Sequence, residues 1–98
     1  MAIVEFTIVP LGTGDTSISN YVADCHKVLA ASKLNYELTA MGTIVEGELS
    51  EILEIIMRMH EVPFENKAKR VSTTIKIDDR RDKTATMEKK VEAVEDKL

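Results

Sequence analysis

Two histidines, one cysteine and a short glycine-bearing segment are the features of this sequence from which catalysis or metal binding would have to be built. Cys25 and His26 are neighbours, and on a helix neighbouring side chains diverge by about 100°, so the two do not converge as nucleophile and base. His26 and His60 fall at the margins of two different apolar stripes. Neither has a second His, Cys or carboxylate at ligand spacing on its own face, so no zinc site is expected. Cys25 lies among Tyr21, Val22, Val28 and Leu29 and reads as a small buried thiol; as the only cysteine it has no internal disulfide partner. Residues 10–19, PLGTGDTSIS, lack the Lys-Ser/Thr pair of a phosphate loop and the third glycine of a dinucleotide fingerprint. Asp15 also puts negative charge where phosphate would sit. The segment reads as a strand-to-helix connection, although the helix start at Thr16 to Ser19 offers free N–H donors to a polar ligand. No catalytic residue and no metal ligand is expected.

Carboxylates are more informative. Glu46, Glu48, Glu51 and Glu54 cross a strand end and a helix start, where solvation and the helix dipole account for most of them. Glu46 differs, because it lies inside a predicted strand between Val45 and Gly47, and a buried carboxylate there needs a partner or a ligand. Gly47 beside it permits close approach to the backbone. Glu5, in the first predicted strand, poses the same question, with pairing to Arg70 or Lys76 across the sheet as the simple answer. The run Asp78 to Asp82 mixes both signs at a strand end and reads as a solvated face or a set of salt bridges between subunits.

The elements that must hold these residues follow from periodicity. Residues 3–9, IVEFTIV, alternate with Val4, Phe6 and Ile8 on one face and Glu5 and Thr7 on the other, and Pro10 is expected to close the strand. Ile18, Tyr21, Val22, Cys25, Val28 and Leu29 recur at three and four, a helical stripe that Asp15, Thr16 or Ser17 can cap. Two strands then flank Gly42, read as the turn residue of a tight hairpin. A second helix carries Leu49, Ile52, Leu53, Ile56 and Met59 or His60 inward, with Ser50 as its cap and Pro63 as its end. Val71, Thr73, Ile75 and Ile77 alternate with polar residues in a fourth strand. Met87, Val91, Val94 and Leu98 stripe a last helix that needs something apolar to lie on.

Strands are thus expected over about 2–9, 36–41, 43–48 and 69–78, and helices over about 16–32, 50–62 and 84–97. This order predicts a single α+β domain spanning 1–98, a ferredoxin-like βαββαβ sandwich with a four-stranded antiparallel sheet and an additional C-terminal helix. Two helices cover one face only, so the face bearing Glu5, Thr7, Ser72, Thr74 and Lys76 must meet solvent, a ligand or another subunit.

Composition narrows the partners. Hydrophobic residues at 44% and charged residues at 31% are those of a chain that folds. A formal net charge of −4 and a pI near 5.2 disfavour nucleic acid, even though Lys67, Lys69, Arg70, Arg80, Arg81 and Lys83 flank one strand. Aromatics at 4% with no Trp leave little for base stacking. The N-terminus lacks the marks of a signal peptide and no apolar run approaches the roughly 18 residues of a bilayer span, so a cytoplasmic protein with no membrane partner is expected.

The stretches EFTIVPLGTG, SISNYVADC, YELTAMGTIVEGEL and RVSTTIKIDDRRDK together resemble the small, one-domain thiamine-binding protein family, whose tandem-domain relatives are the YkoF-like proteins. The resemblance covers nearly the whole chain, and MGTIVEGE at residues 41–48 is its most specific part. It implies a ferredoxin-like fold, homo-oligomers in which dimers joined through their sheets pair into tetramers, and binding of thiamine or its hydroxymethylpyrimidine moiety without catalysis or cofactor. Such a ligand asks for a carboxylate, hydroxyl or carbonyl partners and an apolar slot. With the family motif, the strand position of Glu46 makes it the expected partner of the pyrimidine edge, with Thr43, while Met41, Tyr36, Gly42 and Gly47 shape the slot and Ser19 and Asn20 complete it. Glu5 is a further candidate. Two other readings share the element order: an ACT-like regulatory module that binds amino acids, and a small cofactorless oxygenase or isomerase that would use His26 or His60.

Overall fold

The computed structural model describes residues 1–12, 19–84 and 86–98. Along the chain these form β1 (Ala2–Leu11), α1 (Ser19–Ala31), β2 (Asn35–Thr39), β3 (Gly42–Gly47), α2 (Leu49–Glu65), β4 (Arg70–Asp79) and α3 (Met87–Glu95). The four strands make one antiparallel sheet in the order β2-β3-β1-β4. With three helices the architecture is α+β and consistent with a ferredoxin-like fold. Residues 13–18, which hold Gly14 and the expected caps Asp15, Thr16 and Ser17, lie outside the described residues.

Strand alternation sorts the sheet into two faces, and residues opposite one another in the ladder share a face. Ala2, Val4 and Phe6 of β1 share theirs with Val45 and Thr43 of β3 and with Ile77 and Ile75 of β4. This inner face meets Cys25 and Leu29 of α1 and Ile52, Ile56 and Met59 of α2 to form the core. The other face carries Glu5 opposite Lys76, Glu46 opposite Ile3 and Asn35, and Asp78 opposite Ile3. Because β4 is an edge strand, its inner-face isoleucines are only partly covered, Ile77 remaining 46% exposed.

Several local expectations are corrected. Pro10 does not end β1 but pairs with Val71 inside it, and Pro63 does not end α2 but lies within its final turn. Glu48, not Ser50, is the α2 N-cap, with no side-chain cap bond. The hairpin turn is made by Ala40 and Met41, and the Thr39 hydroxyl steadies it by donating to the Gly42 carbonyl (2.8 Å) and accepting from the Met41 N–H (3.2 Å). Gly42 belongs to β3, and what it needs there is room: a Cβ would sit 3.1 Å from the Phe6 carbonyl oxygen and 3.2 Å from Thr7 Cγ2.

Pro63 has a further consequence. Lacking an N–H, it cannot bond the Met59 carbonyl one turn earlier. The Cys25 thiol supplies the missing donor, its Sγ 3.4 Å from the Met59 oxygen, and so ties α1 to α2. Cys25→Ala is therefore expected to cost about 1–3 kcal/mol in urea unfolding, since it leaves a buried carbonyl unpaired. The loss should shrink in a Pro63→Ala background, where residue 63 regains an amide that reaches Met59. Equal losses in both backgrounds would show that the thiol contact carries no energy.

Candidate functional site

A mismatch in strand length creates a hollow beside β1. β1 pairs with β4 as far as Leu11 opposite Arg70, but with β3 only as far as Phe6 opposite Thr43, because the chain turns away at Ala40 and Met41. A Cβ added at Gly42 would meet the Phe6 carbonyl oxygen at 3.1 Å, so that carbonyl lies on the β3 side, and in an antiparallel strand the N–H of the same residue lies with it. In a strand those directions alternate, so Ile8 and Pro10 face the same way. Pro10 has no N–H to leave unpaired there, which is why a proline is accommodated inside this strand. Ile8 keeps both its N–H and its C=O on that side, and among the described residues neither has a ladder partner.

The resulting hollow encloses about 390 Å³, within the roughly 300–1,000 Å³ of small-molecule clefts. Its walls are the β1 segment from Phe6 to Val9, the hairpin tip from Leu38 to Thr43, one side of α1 at Val22, Cys25 and His26, and Met59 of α2. The lining is mostly apolar, with two thioethers and a thiol among it. A side-chain polar pair stands in it: His26 Nε2 and Thr43 Oγ1, 3.1 Å apart. The Tyr36 ring stands 6.0 Å from the His26 ring, centroid to centroid.

Among the described residues, the titratable side chains of the lining are His26 and Cys25. Burial pushes the Cys25 thiol up to about 11, with the charge of Asp24 adding to the effect, so at neutral pH it is a protonated hydrogen-bond donor and no nucleophile. Burial also lowers His26 below the ordinary imidazole value, favouring a neutral ring. Among the described residues no three of His, Cys, Asp and Glu converge as metal ligands.

Of the residues expected at a ligand site, the fold brings Thr43, Met41 and Gly42 to this hollow and sets Tyr36 beside its histidine. Glu46 and Thr43 are not brought together: they lie three apart in one strand and therefore on opposite faces. Glu46 stands on the outer face, where one carboxylate oxygen accepts from the Asn35 amide and the other from the Met87 N–H at 2.7 Å, so that it caps the start of α3. Glu5 is also on the outer face, opposite Lys76. Gly47 adopts φ 149° at the far end of β3, where a Cβ would meet Leu34 at 3.1 Å. Ser19 and Asn20 open α1, and their side chains lie outside the described residues. His60 bonds Thr73 Oγ1 at 2.7 Å and is not among the lining residues. His26, Met59 and the Ile8 backbone were not singled out from sequence as ligand groups; odd spacing alone, however, separates Glu46 from Thr43.

A second hollow, about 580 Å³, lies at the start of α2 against Met1, Glu48 and Arg81, but the Arg81 guanidinium is already bonded to Asp79 at 2.8 Å. Among the described residues no helix is long and apolar enough to cross a membrane.

Because the folded state holds His26 below its unfolded value, its contribution to stability is complete above the unfolded value of 6.5 and is withdrawn as the pH falls toward the folded value. The unfolding midpoint should therefore drop as the pH is lowered below 6.5, and His26→Gln, which carries no charge, should flatten that slope. An imidazole NMR titration placing His26 at or above its ordinary value would contradict this.

Comparison with known proteins gives this geometry its context. The sequence profile of the family described as "Thiamine-binding protein" matches residues 4–95. The chain is 50% identical over 98 residues to the UPF0045 protein YqgV of Bacillus subtilis, covering 96% of this chain and 94% of that one. A crystal structure from Methanocaldococcus jannaschii superposes with a TM-score of 0.86 at 39% identity, covering 96% of this chain and 95% of that one. A Thermotoga maritima structure, provisionally assigned to thiamine biosynthesis or salvage, superposes with a TM-score of 0.78 at 25% identity over 95% of this chain and 97% of its own. The chain belongs to the thiamine-binding protein family.

Proposed function

We propose that this protein binds thiamine or its hydroxymethylpyrimidine moiety in the cytoplasm, without catalysing a reaction, and does so as an oligomer built on a ferredoxin-like βαββαβ scaffold with an appended helix. The observation that carries the reading is the apolar hollow at the β2–β3 turn, with the neutral His26–Thr43 pair inside it, in a chain of this family. A flat heterocycle with donors and acceptors on its rim suits such a slot: thioethers and aliphatic groups take its faces, while the hydroxyl, the imidazole and strand backbone take its edge. Met41 at the mouth, Gly42 and Tyr36 shape the slot in this reading, and Thr43 is the polar side chain expected to meet the ring.

Glu46 is the rival partner, from the opposite face. Its two oxygens already accept from Asn35 and from the α3 backbone, which supports the hollow over the carboxylate as the ligand's place. Oligomerisation finds support in α3, where Val91 and Val94 are 55% and 60% exposed on one stripe, and in the outer sheet face, where Ile3, Ile44, Val9 and Leu11 are only partly covered. Both are surfaces a second copy would bury, in keeping with dimers joined through their sheets and paired into tetramers.

Titration calorimetry and thermal shift with thiamine, thiamine diphosphate and hydroxymethylpyrimidine test the proposal. Thiamine and the pyrimidine should raise the melting temperature and the diphosphate least, because the lining offers no cation for phosphate among the described residues. Thr43→Val should weaken binding by about tenfold, whereas Glu46→Gln should leave affinity unchanged and loosen α3. An affinity loss confined to Glu46→Gln moves the site to the outer face. Stabilisation by an amino acid and by none of the three ligands overturns the reading.

A further inference from the structure

The bare half of β1 is the feature of the hollow least explained by packing. A strand that ends its pairing on one side usually does so at its own end, but β1 continues for five residues past Phe6, held by β4 alone among the described strands. On the uncovered side Ile8 presents an N–H and a C=O, and Pro10, the next residue facing that way, presents only a C=O. The side chain of Ile8 packs against the core and its strand pairs with β4 at Thr73, so its backbone is held from those two sides. An adjacent donor and acceptor, fixed in orientation and in an apolar setting, is what one residue of a missing strand would pair with.

We infer that this backbone pair is the reading element of the site: a ring nitrogen of an aminopyrimidine accepts from the Ile8 N–H, and the exocyclic amine beside it donates to the Ile8 C=O, so that the ligand edge substitutes for the strand residue β3 does not supply. The inference rests on the thiamine-type reading and adds to it the class of group that is recognised, a neutral amino-azine edge. Shape and polarity agree with this. Among the described residues the lining holds no carboxylate to favour a thiazolium cation and no lysine or arginine to favour a phosphate. His26 and Thr43 bond one another, which leaves the hydroxyl further hydrogen-bonding capacity for the ring's edge. Selection therefore falls on the pyrimidine end of the ligand, and hydroxymethylpyrimidine alone binds at least as well as thiamine.

Ile8 can be tested through its backbone. Replacing it by the α-hydroxy analogue of isoleucine turns one amide into an ester, deleting the N–H and keeping the side chain. Since that N–H has no ladder partner among the described residues, the unliganded melting temperature should stay close to the parent's. Calorimetry with hydroxymethylpyrimidine should then show a loss of about ten- to a hundredfold. The pyrimidine lacking the 4-amino group should suffer a similar loss on the parent protein. Ile8→Pro, for which Pro10 is the precedent in the same strand, removes the same N–H genetically; where it does not fold, the ester carries the test. In the parent, the Ile8 amide proton should shift downfield and exchange more slowly when hydroxymethylpyrimidine is added. Parent-like affinity in the ester overturns the inference while leaving the ligand class standing. Failure of the parent itself to bind hydroxymethylpyrimidine removes the thiamine-type reading, and this inference with it.

Discussion

The hollow depends on unequal strands: β1 runs ten residues and β3 six, and the hairpin leaves the sheet while its central strand continues. Backbone groups in an apolar setting must be paired or must face something that pairs with them. β4 takes one side of β1 along its whole length, so the deficit is confined to the other side beyond Phe6. Every device nearby fits that confinement. Pro10 sits where an N–H would have no partner, Gly42 leaves the room beside the Phe6 carbonyl that a Cβ would take, and the Thr39 hydroxyl closes the turn that walls the hollow.

The helical layer is adjusted in a similar way. Pro63 in α2 deprives the Met59 carbonyl of its helical donor, and Cys25 on α1 fills the place. The same residues, Cys25 and Met59, form part of the wall of the hollow. The lone cysteine is thus kept protonated and 5% exposed, and its chemistry is that of a hydrogen-bond donor between two helices. Among the described residues no buried side-chain nitrogen or oxygen is left without a partner.

On the far side of the sheet, carboxylates serve a different end. Glu46 and Asp78 flank Ile3 across the ladder; Glu46 caps α3 at Met87 and Asp78 pairs with Lys90. These polar contacts fasten a helix that has no buried residue of its own. A carboxylate at a helix start meets both the free N–H groups and the positive end of the dipole. One sheet therefore presents a neutral, apolar cleft on its helical side and an acidic anchoring row on the other.

The alternation of β1 and β4, the stripes of α1, α2 and α3 and the buried nature of Cys25 were legible in the sequence, because each follows from the period of a single element. The candidate site was legible only in part. Thr43, Met41 and Gly42 came from the family motif, and they do line the hollow; Glu46 came from the same stretch, and spacing alone put it on the opposite face from Thr43. What the sequence could not reveal was register. Where β3 stops relative to β1, which carbonyl Pro63 orphans, and which backbone amides are left over all depend on contacts between residues distant along the chain, and those exist only once the sheet and its two helices have packed.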